Sequence, residues 1–205
     1  MKLKVCGMRD MENILALSDL KPEYIGFIFW ASSSRYVSDS TPELNKKIKK
    51  TGVFVDASVD YIKEKIISHH LQAVQLHGSE TPNYCKLIKN LEVEVIKAFS
   101  VNDHFDFSIL KPYEEKCDFF LFDTKGSLPG GNGYTFNWNI LNDYSSQKPF
   151  FISGGIGIEN THQIKELLNT TLPLYAVDVN SKFEISPGLK KIQAIIKFKN
   201  ELYEL

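Results

Sequence analysis

Leu3-Lys4-Val5-Cys6-Gly7 is a short, mostly apolar run ending at a glycine, and residues 10–20 behind it carry Met11, Ile14, Leu15 and Leu17 at helical spacing. A run of this length followed by a 3.6-residue period reads as a strand feeding a helix. The unit decides the fold because it recurs. Strand patterns at residues 24–29, 52–55, 73–76, 93–99, 119–122, 150–153 and 174–177 are followed by helical spacing at 42–50, 59–70, 80–91, 102–116, 136–144, 159–169 and 189–203. Pro42 and Pro82 fall in first turns, where the missing N–H removes no hydrogen bond, and Pro112 interrupts its segment.

Strands apolar on both faces that alternate with helices predict a parallel sheet buried under helices. Eight units predict an α/β fold, a closed (β/α)8 TIM barrel with parallel strands, as one domain over residues 1–205. The same rhythm fits an open doubly wound sheet, since periodicity does not report closure.

Composition narrows the function classes. Lys+Arg 24 against Asp+Glu 25 leaves a net charge of -1, which supplies no field for a nucleic acid backbone. The basic cluster Lys46, Lys47, Lys49 and Lys50 reads as the solvated face of the 42–50 helix. No stretch approaches the ~18 apolar residues of a membrane span. The start runs straight into a strand pattern without a signal-peptide core, so a cytoplasmic location and no membrane partner are expected. Cys6, Cys85 and Cys117 are odd in number and widely spaced, and the five histidines form no ligand motif, which predicts neither disulfides nor a metal site.

In a barrel of this kind the reacting groups come from the C-terminal strand ends and the loops that follow. Those positions hold Cys6, Phe29, Val55 with Asp56, Gln75 with His77, Phe99, Asp123, Gly154 with Gly155, and Asp178 with Asn180. Cys6 is either a small core residue or a base or nucleophile once ionised. Asp123, an acid ending an apolar strand, is either a ligand contact or a helix cap. Ser153-Gly154-Gly155-Ile156 after strand seven and Asp178-Val179-Asn180-Ser181 after strand eight stand where such barrels hold a phosphate. Glycines at 126, 130, 131 and 133 make the loop after strand six either a lid or a plain crossover. Gly131-Asn132-Gly133 does not continue into a dinucleotide fingerprint, so no nucleotide cofactor is expected. Arg35 suits a carboxylate ligand or a surface ion pair.

The chain resembles the phosphoribosylanthranilate isomerase family over essentially its whole length. The motifs are Lys4-Val5-Cys6-Gly7, Gly26-Phe27-Ile28-Phe29, Ser33-Ser34-Arg35-Tyr36-Val37, Gly52-Val53-Phe54-Val55, Val74-Gln75-Leu76-His77-Gly78 and Phe122-Asp123. They continue with Gly130-Gly131-Asn132-Gly133-Tyr134-Thr135-Phe136-Asn137-Trp138, Ser153-Gly154-Gly155-Ile156, Asp178-Val179-Asn180-Ser181, Glu184 and Pro187-Gly188. The resemblance implies a cofactor-free Amadori rearrangement in tryptophan biosynthesis, with Cys6 as general base, Asp123 as general acid and Arg35 holding the anthranilate carboxylate. It further implies substrate contacts at Gln75, His77, Gly131 and Gly133, and phosphate binding at Gly154, Gly155, Asp178, Asn180 and Ser181. The partner expected is a small phosphosugar, bound by a monomer or a homodimer.

Departures from the family pattern are Ser34 where proline is usual, Asn137 for an aspartate, Lys182-Phe183 for Gly-Val, and Lys191 where aspartate is common. Ser34 predicts a less rigid loop around Arg35. The rivals are a lysine-dependent phosphosugar barrel, such as an indoleglycerol-phosphate synthase or a Schiff-base aldolase using Lys4 or Lys97 on inward strand parity, and a barrel that only binds a phosphometabolite.

Overall fold

A computed structural model describes residues 1–124 and 135–203. Among the described residues, eight parallel strands close a barrel in chain order. They are β1 (Lys2–Val5), β2 (Tyr24–Ile28), β3 (Lys49–Phe54), β4 (Ala73–Leu76), β5 (Glu94–Val101), β6 (Phe119–Thr124), β7 (Phe150–Ile152) and β8 (Leu174–Val179). The seam pairs Lys4 with Asp178 and Val5 with Val179 across β1 and β8. Closure rather than an open sheet follows from that pairing.

The alternation of each strand sorts its side chains into two cores. Tyr24, Ala73, Ile96, Ala98, Phe119, Leu121, Phe151 and Ala176 fill the interior. The opposite parity, including Leu3, Val5, Val95, Phe99, Phe120, Phe122 and Val177, packs outward under the helical layer. That layer contains α1 (Met11–Ser18), α2 (Val59–His69), α3 (Pro82–Lys89), α4 (Thr161–Leu168) and α5 (Ile192–Tyr203). Asp10, Ser58 and Thr81 cap the first three by accepting from the backbone N–H three residues on. On α1, Ile14 and Leu17 are buried, whereas Met11 and Leu15 are exposed, so the apolar stripe is narrower than the sequence suggests.

The expected 42–50 helix does not form. The Asn45 side chain accepts from Lys47 N and its carbonyl from Ile48 N, a local turn that competes with helix. Lys49 and Lys50 then enter β3, so only Lys46 and Lys47 of the basic cluster are exposed, and not on a helix. Lys50 is buried and its ammonium donates to the Pro42 carbonyl, while Lys49 pairs with Glu94 at 2.6 Å. The 102–116 and 136–144 segments shorten to 3₁₀ helices, Phe107–Tyr113 and Trp138–Asp143, the first containing Pro112. Asn137 still caps, its side chain accepting from Asn139 N. An unexpected hairpin, β9 (Glu184–Ser186) with β10 (Leu189–Lys190), precedes α5. No helix among the described residues is long and apolar enough to cross a membrane.

Candidate active site

Cys6 continues β1, its N–H donating to the Val179 carbonyl at 2.9 Å. The thiol occupies space that exists because residue 26 is glycine: a Cβ there would stand 2.7 Å from Sγ. Asp123 is buried near the end of β6, and His77, just past β4, brings Nε2 to 3.2 Å from Asp123 Oδ2. Gln75 Nε2 lies 3.2 Å from His77 Nδ1. Cys6 and Asp123 open onto one cavity, together with Arg35, Gln75, His77, Gly154, Gly155, Asp178, Asn180 and Ser181. Its apolar wall comes from Ile28, Trp30, Val53, Val55 and Ile156. Phe29 and Phe99 pack in the outer core instead, as their strand parity requires. Gly131 and Gly133 lie outside the described residues, as does most of the lid or crossover loop after β6.

Gln75 Oε1 and Asp178 Oδ1 are buried without a hydrogen-bond partner. Buried orphans are costly, and their concentration at one cavity marks a place shaped for a polar ligand. Asp178 faces Lys4 across the seam at 2.6 Å. A carboxylate only accepts hydrogen bonds, so any share residue 178 has in holding a phosphate falls to its backbone. Burial pushes both the Cys6 thiol and the Asp178 carboxyl above their ordinary values, with Lys4 opposing the rise in each.

Gly154 adopts φ +90, and a Cβ there would stand 2.4 Å from Thr124 Oγ1, 2.5 Å from Thr124 N and 2.7 Å from Asp123 Oδ1. An L side chain is strained in that conformation and has no room. Gly154→Ala is expected to lower kcat/KM for a phosphorylated substrate at least tenfold by displacing Asp123, a loss of about 1.4 kcal/mol or more, and steady-state kinetics checks it.

Arg35 grips Glu184 in a fork, Nε to Oε1 at 2.8 Å and Nη2 to Oε2 at 2.7 Å. Lys190 joins them, 2.7 Å from Glu184 and 2.6 Å from Asn180 Oδ1. Ser34 is not left loose, because Arg9 donates to its carbonyl at 3.0 Å and to that of Pro187 at 3.3 Å. For Glu184, burial favours the neutral acid, but hydrogen bonds from Arg35, Lys190 and the Gly188 amide outweigh it and hold the carboxyl at about 2, against an ordinary 4.5. A depressed folded-state pKa stabilises above the unfolded value and is lost as pH falls through the folded one. Glu184→Gln is therefore expected to flatten the fall in stability between about pH 5 and about pH 2, read by urea unfolding at both.

The two candidate imine lysines part company. Lys4 points inward as its parity predicts. Lys97 shares its parity with Val95 and Phe99 and points outward, contrary to expectation, where it meets Glu80 at 2.9 Å and the carbonyls of Gly78 and Ala98 at 2.7 and 3.0 Å. Sequence reasoning missed Glu80, Lys190 and Trp30. Only Trp30 carried a usable signal, an aromatic directly past a strand end.

Residues 3–201 match the family model described as N-(5'phosphoribosyl)anthranilate (PRA) isomerase. A Phocaeicola vulgatus protein named N-(5'-phosphoribosyl)anthranilate isomerase is 42% identical over 203 residues, 98% of each chain. The phosphoribosyl anthranilate isomerase structure from Thermotoga maritima superposes at TM-score 0.87 with 30% identity, covering 100% of both chains. A phosphoribosyl anthranilate isomerase in complex with reduced 1-(o-carboxyphenylamino)-1-deoxyribulose 5-phosphate superposes at 0.83 with 28% identity, again covering 100% of both.

Proposed function

The chain belongs to the N-(5′-phosphoribosyl)anthranilate isomerase family, and from that premise we propose that it performs the family's Amadori rearrangement with Cys6 as base and Asp123 as acid. The substrate is N-(5-phosphoribosyl)anthranilate and the product 1-(2-carboxyphenylamino)-1-deoxyribulose 5-phosphate, a step of tryptophan biosynthesis in the cytoplasm. The observation that carries the assignment is the single cavity onto which β1 and β6 bring a thiol and a carboxyl, with Arg35 and the loops after β7 and β8 also on its wall.

Asp123 gives its proton to the ribose ring oxygen as the C1′–O bond breaks, leaving a protonated imine between C1′ and the anthranilate nitrogen. That cation acidifies C2′–H. The Cys6 thiolate removes the C2′ proton, and the C–H electron pair flows toward nitrogen to give the enolamine, which becomes the ketone. A positioned acid and base at separate atoms suit the two transfers. With Nε and Nη2 committed to Glu184, Arg35 offers its Nη1 edge to the anthranilate carboxylate, and the Ile28, Trp30 and Val53 wall takes the ring. The phosphate falls to residues 154–155 and 180–181, supported by left-handed backbone at Gly154 and Gly155.

Growth of a strain lacking this isomerase, starved of tryptophan and supplied with this chain, tests the function. Rescue together with conversion of the purified substrate is expected; neither occurring overturns it.

A further inference from the structure

Lys4 and Asp178 are direct partners across the seam that closes the barrel. Their side chains meet inside it, Nζ 2.6 Å from Oδ2, at 0% and 3% exposure. Cys6 lies two residues beyond Lys4 on the same strand, so alternation sets thiol and ammonium on one face, one above the other. Asp178 also lines the cavity with Cys6, and its second oxygen, Oδ1, is buried without a partner. Two apolar side chains would fill this place with less desolvation than an incompletely bonded ion pair. The charges are therefore to be explained by what stands over them.

We propose that the Lys4–Asp178 pair sets the ionisation of Cys6, Lys4 being the counter-ion that receives the thiolate and Asp178 the group that holds Lys4 beneath the sulfur. Both are positioning residues that act through the thiol, so the proposal rests on Cys6 as base. The charge count fits that role. With the sulfur protonated, Asp178 neutralises the buried ammonium; with the sulfur ionised, thiolate, ammonium and carboxylate carry one net negative charge, which Lys4 and Lys190 oppose and which the C2′ proton discharges on reaching sulfur.

Among the described residues, Lys4 from β1, Asp178 from β8, Lys190 from β10 and Arg35 from the loop after β2 bear on the thiol. Burial favours the neutral thiol most strongly; Lys4 and Lys190 favour the thiolate and Asp178 disfavours it. Removing either member of the pair therefore shifts the titration in opposite directions, which a mere loosening of the barrel would not do.

The experiment is titration of the Cys6 thiolate by its ultraviolet absorbance, taken as the difference between each protein and its Cys6→Ala counterpart, alongside the pH profile of kcat/KM. Lys4→Met is expected to move the thiol titration and the rising limb of kcat/KM up by about one pH unit or more, and Asp178→Asn to move both down by a similar amount. Shifts of the same sign, or none, overturn the proposal. If Lys4→Met does not fold, the isosteric Asp178→Asn decides alone: a downward shift supports the pair's role and an unmoved titration refutes it. Should Cys6→Ala retain turnover, the base assignment fails separately, and the absorbance still decides whether the pair governs the thiol.

Discussion

Cys6→Ala is expected to reduce kcat for N-(5-phosphoribosyl)anthranilate by about three orders of magnitude, with Asp123→Asn similar, because a positioned acid or base contributes ~10²–10⁴-fold. Neither change should unfold the barrel. Alanine removes one buried sulfur from a site already lined by Gly26, and asparagine keeps the shape of a side chain whose neighbours are His77 and the Gly154 backbone. The measurements are steady-state kcat, the urea midpoint, and the affinity for inorganic phosphate, which should survive because residues 154–155 and 180–181 are untouched. Full turnover in either variant removes that residue from the mechanism. The rising limb of the wild-type pH profile should lie above the ordinary thiol range, since burial is the largest influence on Cys6 and favours the protonated form.

Much of this was legible in residue order, and for a physical reason. Parallel strands buried on both faces are predominantly apolar, so runs such as Phe119-Phe120-Leu121-Phe122 announce themselves, and a polar residue ending such a run, Asp123, stands out against them. The count of eight units predicts closure, but periodicity alone leaves an open sheet standing, and what decides between them is the pairing of Lys4 with Asp178 from opposite ends of the chain. The 42–50 segment misled because lysine spacing alone does not tell a helix face from an exposed turn at Lys46 and Lys47 running into a strand, where Lys49 finds Glu94 and Lys50 the Pro42 carbonyl. Lys97 misled because parity gives a face only once one residue of the strand is placed, and Ile96 and Ala98, not Lys97, fill the interior. The fork between Arg35 and Glu184 spans 149 residues, a contact no local pattern reports. The Arg35 pair with Glu184 is largely buried rather than a surface one, and the edge it leaves free is the one proposed for the anthranilate carboxylate.

Lys97→Met should cost about 3–5 kcal/mol of stability, because it strips the partner from a buried carboxylate and leaves that charge uncompensated. The pair is almost wholly dry, 3% and 2% exposed. Glu80 would keep its bonds from the Asp56 and Gly78 amides, but these do not neutralise it. A lowered urea midpoint with an unchanged slope is the expected signature. Turnover should respond quite differently. Lys97 lies outside the interior and reaches the chemistry through the Gly78 and Leu76 carbonyls on either side of His77, so kcat of the folded variant should stay within about tenfold of wild type, a difference of ~1.4 kcal/mol. A lysine that formed an imine with substrate would behave in the opposite way: its removal would abolish kcat, and borohydride would trap the sugar on the wild-type protein but not on the variant. Large instability with surviving turnover and no trapped adduct therefore identifies Lys97 as a strut between the barrel wall and the loop after β4, whereas abolished turnover at full stability would return the lysine chemistry to consideration.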